Sequence, residues 1–255
     1  MGGMTRKIRW GGRPMTAIVL AGGRSRRMKA DKAALDVGGR TLLEHVLDQI
    51  EPFFDEVLVS ISPGQKPALA AGAAEPPRPR SKKRSGGSSS APRFIEDETP
   101  DLGPLGGILS GLKSAANEAC AVIACDVPDI DLPLLRTLAS ATCGSEITVP
   151  VGPSGLYEPL FAIYRKSVIP QITALLGSGE RSILPLFGRC RTVVVQFEDA
   201  GRIRNLNTRA DYESYLSTIH RPAADRSRGR GGRRVKDGSK GDIRSTQFPG
   251  RGAKL

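Results

Sequence analysis

Residues 16–32 read Thr-Ala-Ile-Val-Leu-Ala-Gly-Gly-Arg-Ser-Arg-Arg-Met-Lys-Ala-Asp-Lys. The apolar run Ala17–Leu20 has the composition of a strand at the centre of a parallel sheet, and the glycine pair Gly22 and Gly23 follows almost at once. Glycine lets a backbone come close to phosphate oxygens and present its N–H groups to them. The stretch therefore predicts a buried strand that ends in a phosphate-binding turn.

Positive charge follows the glycine pair. Arg24, Arg27 and Lys32 stand where the phosphates of a nucleoside triphosphate would lie, although a lone lysine is more often a surface residue. The chain does not continue into the Gly-Lys-Ser/Thr ending of a Walker loop, nor does it have the Gly-x-Gly-x-x-Gly pattern of dinucleotide oxidoreductases. The loop accordingly favours a nucleoside triphosphate that is bound by neither of these two loop types.

Strand-like and helix-like segments alternate along the body of the chain. Their lengths imply an α/β fold in which helices cover both faces of a parallel sheet. The predicted strands are 16–21, 57–61, 94–95, 121–125, 147–149, 159–164 and 192–197, and the predicted helices are 41–50, 104–117, 132–140, 167–176 and 208–219. Functional residues are expected just after strands, because such sheets bind ligands at the carboxyl ends of their strands.

The basic charge of the chain is concentrated in segments of low complexity. The net charge is +12, and residues 1–15, 75–92 and 220–255 account for the entire excess of Lys and Arg. We expect a disordered head at 1–15, a disordered basic insertion at 75–92 and a disordered basic tail at 220–255. The domain at 16–219 is mildly acidic once the insertion is left out. Basic tails attract polyanions only nonspecifically, so nucleic acid is not expected as the main partner.

Cysteine and histidine usage argues against a zinc centre. The chain has four cysteines without a Cys-x-x-Cys pair, and only two histidines. Small buried thiols in a reducing compartment are the simpler interpretation. No apolar stretch reaches the ~20 residues that cross a bilayer, and the N-terminus lacks the apolar region of a secretory signal. We therefore expect a cytoplasmic protein with no membrane partner.

Three carboxylates stand next to predicted strands. Asp126 ends the run 121–125, a place that suits Mg²⁺, which takes one or two carboxylates together with substrate phosphates; a turn or N-cap aspartate is the alternative. Asp97 would accept a hydrogen bond from a nucleobase or ribose, unless it is an ordinary surface residue. Glu158 is either a second acidic group near the metal or a rim residue.

Two further segments flank predicted helices. Gly103-Pro104-Leu105-Gly106-Gly107 opens a helix, where glycines permit close approach and N–H groups favour anions; tight packing of the helix on the sheet is the alternative. Asn205-Leu206-Asn207-Thr208 precedes the last helix, for which Thr208 is the expected N-cap.

Five blocks, taken in order, resemble the motifs of a known family. They are Leu20-Ala21-Gly22-Gly23-x-Ser25-x-Arg27-Met28-x-x-Asp31-Lys32, residues 103–107, Cys125-Asp126-Val127-Pro128, Glu158-Pro159-Leu160 and residues 205–208. The first block resembles the signature loop of nucleotidyltransferases, and the ordered set resembles the molybdenum cofactor guanylyltransferases (the molybdopterin-guanine dinucleotide synthase family) over about residues 16–219. The resemblance implies a Rossmann-like, three-layer nucleotidyltransferase fold with a mostly parallel central sheet.

The same resemblance implies an activity and a set of roles. The enzyme would use Mg²⁺ to transfer GMP from GTP to molybdenum-bound molybdopterin with release of pyrophosphate, and acceptor molybdoenzymes or their chaperones would be further partners. The implied roles are nucleotide binding by Leu20, Ala21, Gly22, Lys32, Asp97 and Asp126, catalysis by Lys32, Arg27 and Asp126, metal binding by Asp126, and a position near the pterin for Asn205 and Asn207. The chain departs from the family pattern at Lys29, where a glycine usually follows the methionine, and at Ser60, where some members carry a nucleotide-binding asparagine.

The composition agrees with nucleotidyl transfer. The attacking phosphate oxygen is already ionised, so no histidine base is required, and catalysis rests on positioning and on charge neutralisation. Alternatives stay open among enzymes: a cytidylyltransferase of the same cofactor, whose relatives tend to show Leu-Ala-Ala-Gly, and a sugar-phosphate nucleotidyltransferase. A basic-tailed nucleic-acid-associated protein is the alternative of a different class.

Overall fold

The computed structural model describes residues 6–22, 31–65, 91–100, 102–141 and 144–219, and the backbone of 246–247. Nearly all of the predicted insertion at 75–92 and most of the predicted tail at 220–255 lie outside these residues. The expectation of a disordered tail is wrong at Thr246–Gln247, which form a short strand of the sheet. Within the described part of the chain, no helix is long and apolar enough to cross a membrane.

The described strands form one sheet. They are β1 Thr16–Leu20, β2 Glu56–Ile61, β3 Arg93–Glu96, β4 Ala119–Ala124, β5 Ile147–Val151, β6 Phe161–Arg165, β7 Thr192–Gln196 and β8 Thr246–Gln247, in the order β3-β2-β1-β4-β6-β5-β7-β8. β1 pairs in parallel with both β2 and β4, and β2 pairs in parallel with β3. The chain builds outward from β1 to β3 and then returns to the other side of β1, so a topological switch point lies between β1 and β4.

The helices cover both faces of this sheet. They are α1 Leu42–Ile50, α2 Pro104–Ser114, α3 Leu132–Ser140, α4 Ile169–Gly177, the single turn α5 Leu184–Phe187 and α6 Arg209–Ile219. Alternate residues of β1 enter different cores: Ala17 and Val19 pack with α1 and α3, whereas Ile18 and Leu20 pack with α2. Because side chains alternate across a strand, this division gives three layers. The predicted α/β fold with a mostly parallel sheet is confirmed.

β6 is the exception to the parallel pattern. It runs antiparallel to both of its neighbours, β4 and β5. The loop 152–160 that joins β5 to β6 is too short for a crossover, since a parallel connection needs about a dozen residues or more. As a consequence, β6 begins at the edge of the sheet where β1 to β4 end.

Local sequence sets the ends of the helices. Thr41 caps α1 in a capping box, because its hydroxyl accepts from Glu44 N–H while the Glu44 carboxylate accepts from Thr41 N–H. Pro104 opens α2 at its first turn, as predicted. This helix ends at Ser114, three residues earlier than the predicted 104–117.

The expectation of a disordered head at 1–15 is wrong for residues 6–15. Ile8 is 1% exposed and Met15 is fully buried. Ile8 N–H donates to Phe53 O at 2.8 Å, and Asp55 N–H donates to Met15 O. The segment is basic, but its few apolar side chains reach the core under α1 and α3, which a count of charges does not reveal.

We predict that Ile8→Ala lowers the free energy of unfolding by about 3 kcal/mol, because truncation of a buried aliphatic side chain loses transfer energy and leaves a cavity. Urea denaturation measures the change. Leu156→Ala is the matched control, since Leu156 is 68% exposed, and it should alter stability by less than about 0.5 kcal/mol. Equal effects of the two variants would show that residues 6–15 do not belong to the folded unit.

Candidate active site

A cleft of about 310 Å³ lies at the carboxyl ends of β1, β2 and β4. It is at the switch point where β1 separates the two halves of the parallel sheet, the place at which open α/β sheets bind ligands. The residues that line it are Leu20, Ala21, Gly22, Asp31, Lys32, Ala33, Ser60, Asp97, Gly103, Pro104, Gly107, Ala124, Cys125, Asp126 and Leu160. The cleft therefore unites segments from four of the five sequence blocks.

Lys32 holds two of the predicted site residues together. Its ammonium group donates to Asp126 Oδ2 at 2.8 Å and to Asn207 Oδ1 at 3.2 Å. The Lys32 and Asp126 side chains are only 16% and 21% exposed, so the charge pair is stronger than it would be on an open surface. Three segments that are far apart in sequence thus meet at one cation.

The segment 205–207 is fixed to Asp126 through the backbone as well. Leu206 N–H donates to Asp126 O at 2.8 Å, and the Leu206 side chain is fully buried. Asn205 hydrogen-bonds the side chain of Glu158. Asn205 and Asn207 therefore stand on either side of an anchored leucine, both beside carboxylates of the site.

The start of α6 holds the other end of that segment. Thr208 Oγ1 accepts from Asp211 N–H, and Asp211 Oδ2 accepts from the N–H groups of Asn207 and Thr208. Thr208 is therefore the N-cap, as predicted.

Asp97 lies on the opposite wall, just past β3. Its Oδ1 accepts a short hydrogen bond from Ser60 Oγ, and its backbone N–H donates to Ile61 O at 3.0 Å. Burial raises the pKa of the Asp97 carboxyl, and the Ser60 hydrogen bond opposes that rise. A Cβ at Gly107 would lie 2.9 Å from Ser60 Oγ and 3.6 Å from Asp97 Oδ1, so this glycine lets α2 approach the pair closely.

Glu158 lies close enough to Asp126 for the charge of Asp126 to affect its pKa. Burial raises the pKa of the Glu158 carboxyl, and the negative charge of Asp126 raises it further, whereas the hydrogen bond from Asn205 lowers it. Glu158 reaches this edge because β6 runs antiparallel and begins here. Within the described ranges, no three His, Cys, Asp or Glu side chains gather in a cluster that could bind a metal by itself.

Gly22 lines the cleft. A Cβ at Gly22 would lie 2.9 Å from the backbone nitrogen of Ser62, so the residue that follows β2 excludes any side chain at this point. Ala21 N–H donates to Ser60 O at 2.9 Å, and Leu20 O accepts from Cys125 N–H at 3.1 Å. These backbone groups are already used within the sheet, and a ligand at Leu20 or Ala21 would meet carbonyl oxygens with a remaining lone pair.

Most of the predicted site residues converge in this cleft or next to it. Leu20, Ala21, Gly22, Lys32, Asp97 and Asp126 line it, and Asn207 joins through Lys32. Gly23 and Arg27 lie outside the described residues. The sequence did not reveal Ser60 as the partner of Asp97, because Ser60 drew notice only as a departure from the family pattern, and it did not reveal Gln65 as the partner of Asp31, because Gln65 stands in no motif. Their positions at and just after the end of β2 were the available signal.

Comparison with known proteins agrees with this geometry. A family model described as a MobA-like NTP transferase domain matches residues 17–191. A molybdenum cofactor guanylyltransferase of Vibrio cholerae is 33% identical over 75% of this chain and 86% of its own length. A probable molybdenum cofactor guanylyltransferase of Carboxydothermus hydrogenoformans is 30% identical over 79% of this chain and 95% of its own length.

Solved structures show the same fold. The molybdopterin-guanine dinucleotide biosynthesis protein A of Archaeoglobus fulgidus superposes with a TM-score of 0.60 at 24% identity, over 80% of this chain and 98% of that one. The family model spans more than half of the chain, and the Vibrio cholerae relative is identical at a third of the aligned positions. The chain therefore belongs to the family of MobA-like NTP transferases.

Proposed function

We propose that the protein transfers GMP from GTP to molybdenum-bound molybdopterin and releases pyrophosphate. The observation that carries this proposal is the contact of Lys32 with both Asp126 and Asn207 at the switch point of the sheet. It brings a phosphate-binding cation, a candidate metal ligand and the segment expected near the pterin to one place. The activity named for the relatives supports the same reaction.

The chemistry requires positioning and charge neutralisation from the chain. A phosphate oxygen of the acceptor forms a new bond to the α-phosphorus of GTP, and the bond from that phosphorus to the bridging oxygen breaks in line, so that pyrophosphate leaves with the electron pair. The Lys32 ammonium, fixed by its two partners, would stabilise charge on the phosphates during this step. We propose that Arg27 adds charge from the adjoining loop.

The donor chemistry of the site fits Mg²⁺. Asp126 and Glu158 offer hard carboxylate oxygens at one edge of the sheet, and Mg²⁺ usually binds one or two carboxylates together with substrate phosphates. We propose Asp126 as the protein ligand, with Glu158 beside it. When bound, the ion would neutralise negative charge on the triphosphate.

Guanine is the preferred base in this proposal. Leu20, Ala21 and Asp97 line the cleft. Their carbonyl and carboxylate oxygens are acceptors, and the ring and amino N–H groups of guanine are donors. The Leu-Ala-Gly-Gly sequence and the named activity of the relatives also favour GTP over CTP. The direct test is incubation with molybdopterin, Mg²⁺ and either GTP or CTP, followed by detection of pyrophosphate; a preference for CTP would reverse the choice of base.

We further propose that residues 6–219 are sufficient for catalysis and that the reaction takes place in the cytoplasm. The described cysteines Cys120, Cys125 and Cys190 are free thiols, as is usual in a reducing compartment. The product would be passed on to acceptor molybdoenzymes or to their chaperones.

Lys32→Ala should reduce kcat/KM for GTP by about 30-fold to 1000-fold, which corresponds to roughly 2–4 kcal/mol of lost transition-state stabilisation. Pyrophosphate release under saturating molybdopterin measures the change. Lys113→Ala is the matched control, because Lys113 forms an exposed ion pair with Glu98, and its kcat/KM should not change. An unaltered kcat/KM in Lys32→Ala would remove this residue from the site.

Asp126→Asn should lower Mg²⁺-dependent turnover by about a hundredfold or more, because a metal ligand contributes several kcal/mol to phosphoryl chemistry. The fold should persist, since Leu206 N–H bonds the backbone oxygen of Asp126 and not its carboxylate. Turnover titrated with Mg²⁺ is the measurement, with the exposed Asp48→Asn as control. Wild-type rates and Mg²⁺ dependence in Asp126→Asn would exclude it as the ligand.

Deletion of residues 220–255 separates the enzyme from the nucleic-acid-associated alternative. The deletion also removes β8, which pairs with β7 at the edge of the sheet away from β1. The shortened chain should retain GTP turnover within about twofold, because the cleft lies at the ends of β1, β2 and β4 and basic tails contribute only long-range attraction. Any binding to RNA, measured in parallel as a function of salt, should disappear. Retained RNA binding together with lost nucleotide turnover would favour the alternative class.

A further inference from the structure

Gln65 uses both donors and the acceptor oxygen of its side-chain amide. Its Nε2 donates to Asp31 Oδ2 at 2.8 Å and to Ala21 O at 3.2 Å, and its Oε1 accepts from Ser62 N–H at 3.0 Å. The partners fix the orientation of the amide, because a carboxylate and a carbonyl only accept and a backbone N–H only donates. Glutamine meets all three demands in this half-buried position, whereas glutamate would lack both donors.

Asp31 connects this amide to the site. Its Oδ1 accepts from Ala33 N–H at 3.0 Å and so caps the short 3₁₀ helix Lys32–Ala34. Its Oδ2 accepts from Gln65. The carboxylate is therefore held on both oxygens, and Lys32 is the first residue of the helix that it caps.

The turn that carries Gln65 is packed against Gly22. Gln65 N–H donates to Ser62 O at 2.9 Å, which closes the turn 62–65 after β2. The backbone nitrogen of Ser62 lies where a side chain at Gly22 would be. The Gln65 amide thus joins the end of β1, the end of β2 and the cap of the 3₁₀ helix.

We propose that Gln65 is a positioning residue that sets the Lys32 ammonium in the cleft. It acts through Asp31, whose carboxylate it ties to the carbonyl of Ala21, the residue before Gly22. The role in catalysis rests on the proposed function, since Lys32 serves there as the cation that stabilises the phosphates. Gln65 itself need not touch the nucleotide.

The first arm of the test needs no substrate. In Gln65→Met the side chain keeps its length but loses its polar atoms, so Asp31 is held less firmly and the Ala33 amide should exchange its hydrogen about tenfold faster or more. Gln171→Met on the exposed face of α4 is the matched control and should leave the Ala33 amide unchanged. Unchanged exchange in Gln65→Met would overturn the proposal whatever the protein catalyses.

The second arm is a double-mutant cycle with Lys32. Gln65→Met should lower kcat/KM for GTP by about tenfold in the wild-type background and by less than about twofold in the Lys32→Ala background, because residues that act through one another are not additive. The same factor in both backgrounds would show that Gln65 only supports the fold.

A pH series distinguishes positioning from loss of stability. In Gln65→Glu the introduced carboxylate repels Asp31 at neutral pH, and its protonation restores an O–H donor to Asp31, so activity relative to wild type should recover as the pH is lowered. A ratio independent of pH would contradict the proposed contact. A wild-type chain without guanylyl transfer would refute the proposed function, and the exchange of the Ala33 amide would still decide the role of Gln65.

Discussion

The parallel register of β1 with its two neighbours is the constraint on which the site depends. Leu20 lies opposite Ser60 of β2 and Ala124 of β4, so the residues that follow these three positions emerge at one edge. Those residues are Gly22, the Ser62–Gln65 turn and Asp126. Since a shift of one residue would turn every side chain to the other face, the two buried cores on either side of the sheet fix the register and with it the cleft.

The cleft contains charged side chains of both signs. Asp126 and Glu158 bring negative charge to the edge, and the Lys32 ammonium is held against Asp126 by a direct hydrogen bond. A partly buried carboxylate without a cation would be costly, which gives Lys32 a structural as well as a chemical reason to point inward. The same arrangement suits a triphosphate with a divalent cation, because both signs of charge are then present on the ligand.

Close backbone approach is the second condition of the site. Gly22 is crowded by the backbone of Ser62, and Gly107 by the side chains of Ser60 and Leu20, so neither position has room for a Cβ. The helix and the sheet can therefore converge on the cleft from two sides. The packing interpretation and the binding interpretation of the glycine-rich segments are compatible, since absence of a side chain serves both.

The sequence by itself determined the α/β class, the alternation of strands and helices, and the carboxylates and glycines that follow the strands, because hydrophobic period and turn chemistry are local properties. Only the tertiary structure decided that Lys32 meets Asn207, that Ser60 pairs with Asp97 and that Gln65 holds Asp31. It also decided that residues 6–15 are packed, since burial of Ile8 depends on a surface made by α1 and α3. Such contacts join residues far apart in the chain, and no local pattern encodes the distance between them.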